Sequence, residues 1–265
     1  MESNDMDTST YELSYSVKKL TDRIVNVMNG NVYGIWLYGS VVMDDFRLGW
    51  SDIDFIALTN ETVTESEAQS LLELRQKMLD EEPRNPYYRT FEGIIVGVDE
   101  YRNRDYTRLV YWGTSGQKIT DSYTTDPFSE FELAKYGKNV FGDKPWILPA
   151  PDREEMIRAI RKHYEAMRRY AVVTDRSIYS CGWLLDIARC IYTLRNNDVI
   201  SKTEAGRWAL DEHLFENDAP LKKTLEIRLS PLKYKDSEET GIWLENLGIV
   251  VQSYADVLEE ELKSQ

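Results

Sequence analysis

Apolar residues recur near helical spacing over residues 10–29, at Leu13, Val17, Leu20, Ile24, Val27 and Met28, and Asn29-Gly30 follows as a stop. Residues 33–38 and 91–98 are short β-rich runs. Residues 53–58 are almost wholly apolar, the pattern of a strand covered on both faces. Residues 65–80 predict an amphipathic helix entered at Thr64, with Glu67 at capping-box spacing. Residues 127–140 predict one more helix, through Phe128, Phe131, Leu133 and Tyr136.

Three prolines, Pro145, Pro149 and Pro151, then fall within seven residues and mark the best linker. Beyond them the period is helical over 152–172, 177–195, 202–214 and 240–262, and Ser201 with Glu204 repeats the capping-box spacing. The expected organisation is α+β: a domain of strands and helices over 1–148, then an all-α helical bundle over 149–265.

Composition narrows what such a chain does. With 32 basic and 46 acidic residues the formal net charge is −14. A generic nucleic-acid binder needs a basic footprint, so that class is excluded, and a cationic partner suits the charge. The N-terminus has neither a basic n-region nor an apolar h-region, and the longest apolar runs, 93–98 and 247–251, are too short to cross a bilayer. A cytoplasmic protein without membrane contact is expected. If 177–195 is helical, Cys181 and Cys190 fall on opposite faces, since nine steps of about 100° separate them. They read as core residues. Two histidines without a Cys/His cluster exclude a zinc site.

The chemistry concentrates in Tyr38-Gly39-Ser40 and, eleven residues on, Asp52-Ile53-Asp54. Side chains alternate along a strand, so Asp52 and Asp54 share a face with Cα atoms about 7 Å apart. Such a pair suits Mg²⁺, which prefers hard oxygens, keeps waters and is completed by substrate phosphates. Gly39 lets the backbone approach a phosphate, and Ser40, with Ser51 ahead of the carboxylates, offers hydroxyl donors. Glu92, near the start of an apolar run, needs a partner or a metal. If its strand lies beside 53–58 it meets the aspartates, to complete a metal site or accept a proton; a structural Arg or Lys is the other partner it could have. Asp44, Asp45, Asp99 and Glu100 read as solvated loop charges, residues 256–261 as a solvated acidic face, and His163 and His213 as residues without a role.

The joint order of strand, Gly-Ser, short helix, Ser, then Asp-x-Asp opening a buried strand resembles the nucleotidyltransferase superfamily that includes DNA polymerase β. The segments 187–194 and 199–209, with Arg189 and Lys202, resemble the C-terminal domain of the aminoglycoside (3″)(9) adenylyltransferases. With Glu92 and the segment 132–145, the resemblance spans most of the chain. It implies an N-terminal nucleotidyltransferase domain with a mixed sheet and flanking helices, and a helical domain closing a cleft for ATP and drug. The implied activity is Mg²⁺-dependent transfer of AMP from ATP to a hydroxyl of streptomycin or spectinomycin, with two ions expected.

Carried over, Gly39, Ser40 and Ser51 match the phosphate-binding residues, Asp52 and Asp54 with Glu92 the metal site, and Glu92 the catalytic base. Arg189 and Lys202 match basic residues that reach the nucleotide, and Tyr234 an ATP-contacting tyrosine. A triphosphate needs cations opposite its metals, which agrees in charge sense. Streptomycin-modifying members carry a tryptophan and, five residues on, an aspartate against the drug; here these are Tyr170 and Asp175. The expected partners are ATP and a cationic small molecule, with the chain a monomer. The same transfer onto a lincosamide, another metabolite or a protein side chain, and a non-catalytic binding or antitoxin module, are the alternatives.

Overall fold

The computed structural model of the chain describes residues 2–113 and 116–265. It contains two compact units. The sheet unit comprises the chain up to Val42, then Asp52–Thr125 and Leu133–Pro149; the helical unit comprises Met43–Ser51, Asp126–Glu132 and Ala150–Gln265. The helical unit therefore takes two segments from within 1–148, the range expected from the proline-rich linker to form the sheet domain. One of them, 43–51, lies between the Gly-Ser and Asp-x-Asp motifs.

The sheet unit runs α1 (Glu2–Met28), β1 (Gly34–Tyr38), β2 (Ile53–Thr59), α2 (Glu65–Glu81), β3 (Phe91–Gly97), α3 (Val98–Asn103), β4 (Leu109–Gly113) and β5 (Gly116–Thr120), and ends with α4 (Pro127–Tyr136) and β6 (Lys138–Phe141). The strands form one six-stranded sheet in the order β5-β4-β3-β2-β1-β6. β2 and β3 pair in parallel and the other neighbours antiparallel, which makes the sheet mixed. A parallel pair needs a crossover connection, and α2 supplies it. The capping box at Thr64 and Glu67 starts that helix. Trp36, Ile56, Leu58, Ile94 and Val96 pack into one core with Tyr101 and Leu133. Phe55 meets Phe91 and Trp112 edge-on in the same unit.

Several elements depart from the periodicity. The helix expected over 127–140 ends at Tyr136, because residues 138–141 extend to pair with β1 as an edge strand. α4 also changes allegiance along its length: Phe128 and Phe131 join the helical core, Leu133 the sheet core. The β4–β5 hairpin and α3 have too few residues for a distinct period.

The helical unit continues with α5 (Arg153–Tyr170), a 3₁₀ turn (Ile178–Cys181), α6 (Gly182–Asn196), α7 (Lys202–Asp211), α8 (Ala219–Leu229), α9 (Pro231–Tyr234), α10 (Glu238–Leu244) and α11 (Gly248–Lys263). α6 is the central rod: Leu184, Leu185, Ile187, Ala188, Ile191 and Leu194 are buried, and it touches α5, α7, α8 and α11. Cys181 and Cys190 are free and buried. The long helix expected over 240–262 is broken into α10 and α11. The Thr174 hydroxyl clasps the break, donating to the Leu244 carbonyl at 2.7 Å and accepting from the Leu247 N–H at 3.2 Å. The same two groups also bond each other, the Leu247 N–H donating to the Leu244 carbonyl at 3.2 Å, so the hydroxyl reinforces the turn. The acidic face of α11 is partly neutralised, since Asp256 and Glu259 pair with Arg168 and Glu261 with Arg195. Among the described residues no helix is long and apolar enough to cross a membrane.

Candidate active site

β1 is buried along its whole length and delivers the chain into the 3₁₀ turn Gly39–Val41. Gly39 has φ +67, the left-handed region, and a Cβ there would collide with the Asp54 carboxylate. Glycine is needed on both counts: the conformation disfavours a side chain, and the carboxylate fills its place. The Ser40 hydroxyl donates to the Asp52 carbonyl at 3.4 Å, a long bond that ties the turn to the entrance of β2.

Along β2 the alternation is strict at the site. Ile53 and Phe55 are fully buried, while Asp54 between them is half-buried, as is Asp52 before the strand. Asp54 pairs in register with Tyr38 of β1 on one side and with Glu92 of β3 on the other. In-register residues of parallel neighbours lie on one face, with strands about 4.8 Å apart. The Tyr111 hydroxyl on β4 donates to Glu92 Oε1 at 2.8 Å, so Glu92 is held by a neutral donor and not by the structural cation considered from sequence. Burial, and then the Glu92 carboxylate, push the Tyr111 hydroxyl up to about 12, which keeps it a donor at neutral pH.

A buried cation lies in the same unit. Arg75 of α2 donates through Nε to the Tyr88 carbonyl at 3.1 Å, through Nη1 to the Gly113 carbonyl at 2.6 Å, and through Nη2 to the Arg89 carbonyl. Burial draws its pKa below the ordinary value, against the pull of Asp52 and Glu92. It therefore fixes the backbone immediately before β3 and adds a positive charge to the field of the carboxylates.

Asp52 and Asp54 offer hard oxygens of the kind magnesium takes, and Gly39 leaves room for backbone approach. Among the described residues, however, no three His, Cys, Asp or Glu side chains gather closely enough to enclose an ion. The donors fit an open site, in which water and substrate phosphates complete the coordination.

The remaining sequence-derived residues lie in the helical unit. Ser51 Oγ accepts from the Arg47 N–H at 3.1 Å. Arg189 pairs with Glu132 at 3.1 Å and lies over the Phe128 ring. Burial opposes its charge, but Glu132 and Asp186 outweigh burial and hold its pKa above the ordinary value. Lys202, first residue of α7, pairs with Asp186 at 2.9 Å. Burial works against the Asp186 charge, yet Lys202 and Arg189 bring its pKa below the ordinary value. His163, given no role from sequence, meets Asp126 at 2.7 Å. Tyr234 is buried, and its hydroxyl donates to Glu226. Tyr170 is 62% exposed at the end of α5, beneath the Arg169 guanidinium. Asp175 Oδ1 accepts from the Ser180 hydroxyl at 2.7 Å and the Ser177 N–H at 2.9 Å, and these bonds lower its pKa. A pocket of about 470 Å³ within this unit is lined by Asp175, Tyr179, Trp183, Asp186, Lys202 and Trp50.

Glu132, Asp186 and Tyr111 escaped the sequence reading. For Glu132 and Asp186 the signal was available, a carboxylate inside an apolar run, the same one that singles out Glu92. Asp45 is a correction: it is 2% exposed and forms an ion pair with Arg228 at 2.6 Å, where a solvated loop charge was expected. Asp99 and Glu100 are corrected too, since both sit in α3: Asp99 pairs with Arg102 at 2.7 Å, and Glu100 accepts from the Thr107 N–H at 2.7 Å.

Two families match the chain. Residues 19–109 match the nucleotidyltransferase domain, and residues 147–241 match the aminoglycoside adenylyltransferase C-terminal domain. Among solved structures the fold is similar to a crystal structure of spectinomycin adenyltransferase AAD(9) from Enterococcus faecialis with ATP and spectinomycin. The TM-score is 0.64 and the identity 17%, over 93% of this chain and 99% of that one. No curated protein matches the chain.

Proposed function

We propose that this chain, which matches the nucleotidyltransferase domain over residues 19–109 and the aminoglycoside adenylyltransferase C-terminal domain over residues 147–241, is an aminoglycoside adenylyltransferase that transfers AMP from ATP to a hydroxyl of an aminoglycoside or aminocyclitol, streptomycin or spectinomycin, with Mg²⁺. The observation that carries this reading is the register of Asp54 with Glu92 on parallel strands, beside a glycine turn pressed against Asp54. The AAD(9) structure, solved with ATP and spectinomycin, supports the choice of co-substrate and acceptor class.

Asp52 and Asp54 are the residues that would hold magnesium, with Glu92 beside them; when bound, the metal offsets charge on the transferring phosphate. The backbone N–H groups after Gly39 and the hydroxyls of Ser40 and Ser51 donate to phosphate oxygens. Glu92 takes the proton of the acceptor hydroxyl while Tyr111 holds its other flank. The acceptor oxygen bonds to the α-phosphorus, the bond from that phosphorus to the bridging oxygen breaks, and pyrophosphate leaves. Arg189 and Lys202 serve the triphosphate, Tyr234 the nucleotide, and Tyr170 and Asp175 the acceptor. Catalysis in this scheme is positioning and electrostatics.

The test is pyrophosphate release with ATP and Mg²⁺ across streptomycin, spectinomycin, kanamycin and lincomycin. Release with streptomycin or spectinomycin alone is expected. Silence with all four while ATP still binds would move the same chemistry to another acceptor.

A further inference from the structure

The segment 43–51 joins the Gly-Ser turn to Asp52, and it is knotted into the helical unit. Asp45 is the centre of the knot. Its carboxylate accepts from the Thr203 N–H at 3.2 Å, from the Thr203 hydroxyl at 2.5 Å and from Arg228 at 2.6 Å. Arg228 also donates through Nε to the Thr203 hydroxyl at 3.0 Å and lies over the Trp50 ring at 5.3 Å. Asp45, Thr203 and Arg228 are each buried to within a few per cent. Toward the C-terminal end of the segment, the N–H groups of Trp50 and Ser51 both donate to the Arg47 carbonyl, and the Arg47 N–H returns to the Ser51 hydroxyl.

Two residues assigned to the nucleotide flank this knot. Ser51 ends the segment and adjoins Asp52. Lys202 adjoins Thr203 at the first turn of α7. Trp50 and Lys202 line the same pocket. A salt bridge serving stability alone has no need of this address, and buried pairs are weak evidence for stability in any case. We propose that Asp45, with Arg228 and Thr203, is a positioning residue that fixes Ser51 and Lys202 together for binding ATP. The inference rests on the adenylyltransferase reading and adds residues to it that act through others.

The experiment is calorimetric titration of ATP with Mg²⁺ into the full chain at a temperature where circular dichroism shows each variant folded. Asp45→Asn keeps the shape and removes the charge; its ATP Kd is expected to rise about tenfold or more, the usual cost of losing a partner that orients a ligating group. Thr203→Val removes only the hydroxyl bonds and is expected to give a smaller rise, which keeps the idea testable should Asp45→Asn not fold. Arg228→Lys should retain more affinity than Arg228→Met. Leu258→Ala, at a fully buried position of α11 that makes no hydrogen bond to the knot, supplies a variant of lowered Tm whose Kd should stay within twofold of the wild type. The proposal is overturned if folded Asp45→Asn, or Thr203→Val in its stead, binds ATP like the wild type. It is equally overturned if Leu258→Ala weakens binding as much. Absence of ATP binding by the wild-type protein would instead overturn the adenylyltransferase reading, and this inference with it.

Discussion

Asp54 and Glu92 stand side by side on adjacent parallel strands, and Glu92 is gripped from its other flank by the Tyr111 hydroxyl at 2.8 Å. The two carboxylates thus differ in environment although they share a face. Asp54 abuts the glycine turn, and Glu92 accepts from a neutral donor. Glu92→Gln should preserve the Tyr111 contact and ATP binding while removing the proposed proton acceptor. Turnover is expected to fall roughly 10²–10⁴-fold, as for loss of a general base. Pyrophosphate release at saturating acceptor, with calorimetric ATP binding alongside, checks this; wild-type turnover in the variant removes Glu92 from the chemistry.

Tyr111→Phe leaves the Glu92 carboxylate but frees its orientation. A smaller loss is expected, about tenfold in kcat with little change in KM for ATP, because a hydrogen bond to a charged group contributes about 1.5–3 kcal/mol and tenfold corresponds to about 1.4 kcal/mol. A loss as large as that of Glu92→Gln would mean that the tyrosine takes part in the proton transfer.

Gly39→Ala tests the turn. A side chain at φ +67 costs about 1–2 kcal/mol, and its Cβ would displace the Asp54 carboxylate. The fold should persist, with Tm lowered by several degrees, while turnover falls about 10²-fold from the misplaced carboxylate. Circular dichroism and the release assay together separate the two effects. Unchanged turnover would show that Asp54 can move without consequence.

Arg75→Met tests the buried cation. Its guanidinium satisfies the carbonyls of Tyr88, Arg89 and Gly113, and methionine leaves them buried without donors. The expected cost is about 3 kcal/mol, summed from carbonyls that lose their partners at about 1–3 kcal/mol each with partial relaxation. Urea unfolding measures it. A change under about 0.5 kcal/mol would show that water replaces the guanidinium freely.

The helical unit is expected to lose stability in acid. Asp175 and Asp186 have folded pKa values below the ordinary aspartate, Asp175 through Ser180 and Ser177, and Asp186 through Lys202 and Arg189 against the cost of burial. For groups depressed by folding, the stabilisation is fully present above the unfolded value of about 3.9 and is lost as pH falls through the lower folded values. The urea midpoint should therefore stay level through these groups from pH 7 to about 5 and fall below about 4. Asp186→Asn should flatten that fall. A midpoint that declines equally in the variant assigns that loss to other carboxylates.

Periodicity carried most of the helices and the central strands, because a buried face imposes its period on the chain wherever the element is long enough to repeat it. It failed where elements are short or where a partner far away in sequence makes the decision. β6 became a strand only because β1 offered an edge. The last helix is broken at a turn that Thr174, some seventy residues earlier, binds from outside the segment.

The candidate chemistry divides in the same way. Residue type and spacing alone determined the Gly-Ser turn, the Asp-x-Asp pair and the placing of Glu92 in an apolar strand, since these depend on local alternation and on the cost of a charge among apolar neighbours. Only the tertiary structure decided that Glu92 lies in register with Asp54, that Tyr111 is its partner, and that Asp45 is a buried ion-pair residue. Register is set by which strands pair, and the fate of a carboxylate by whether a cation such as Arg228 folds back from 183 residues away. Neither is written in the neighbourhood of the residue itself.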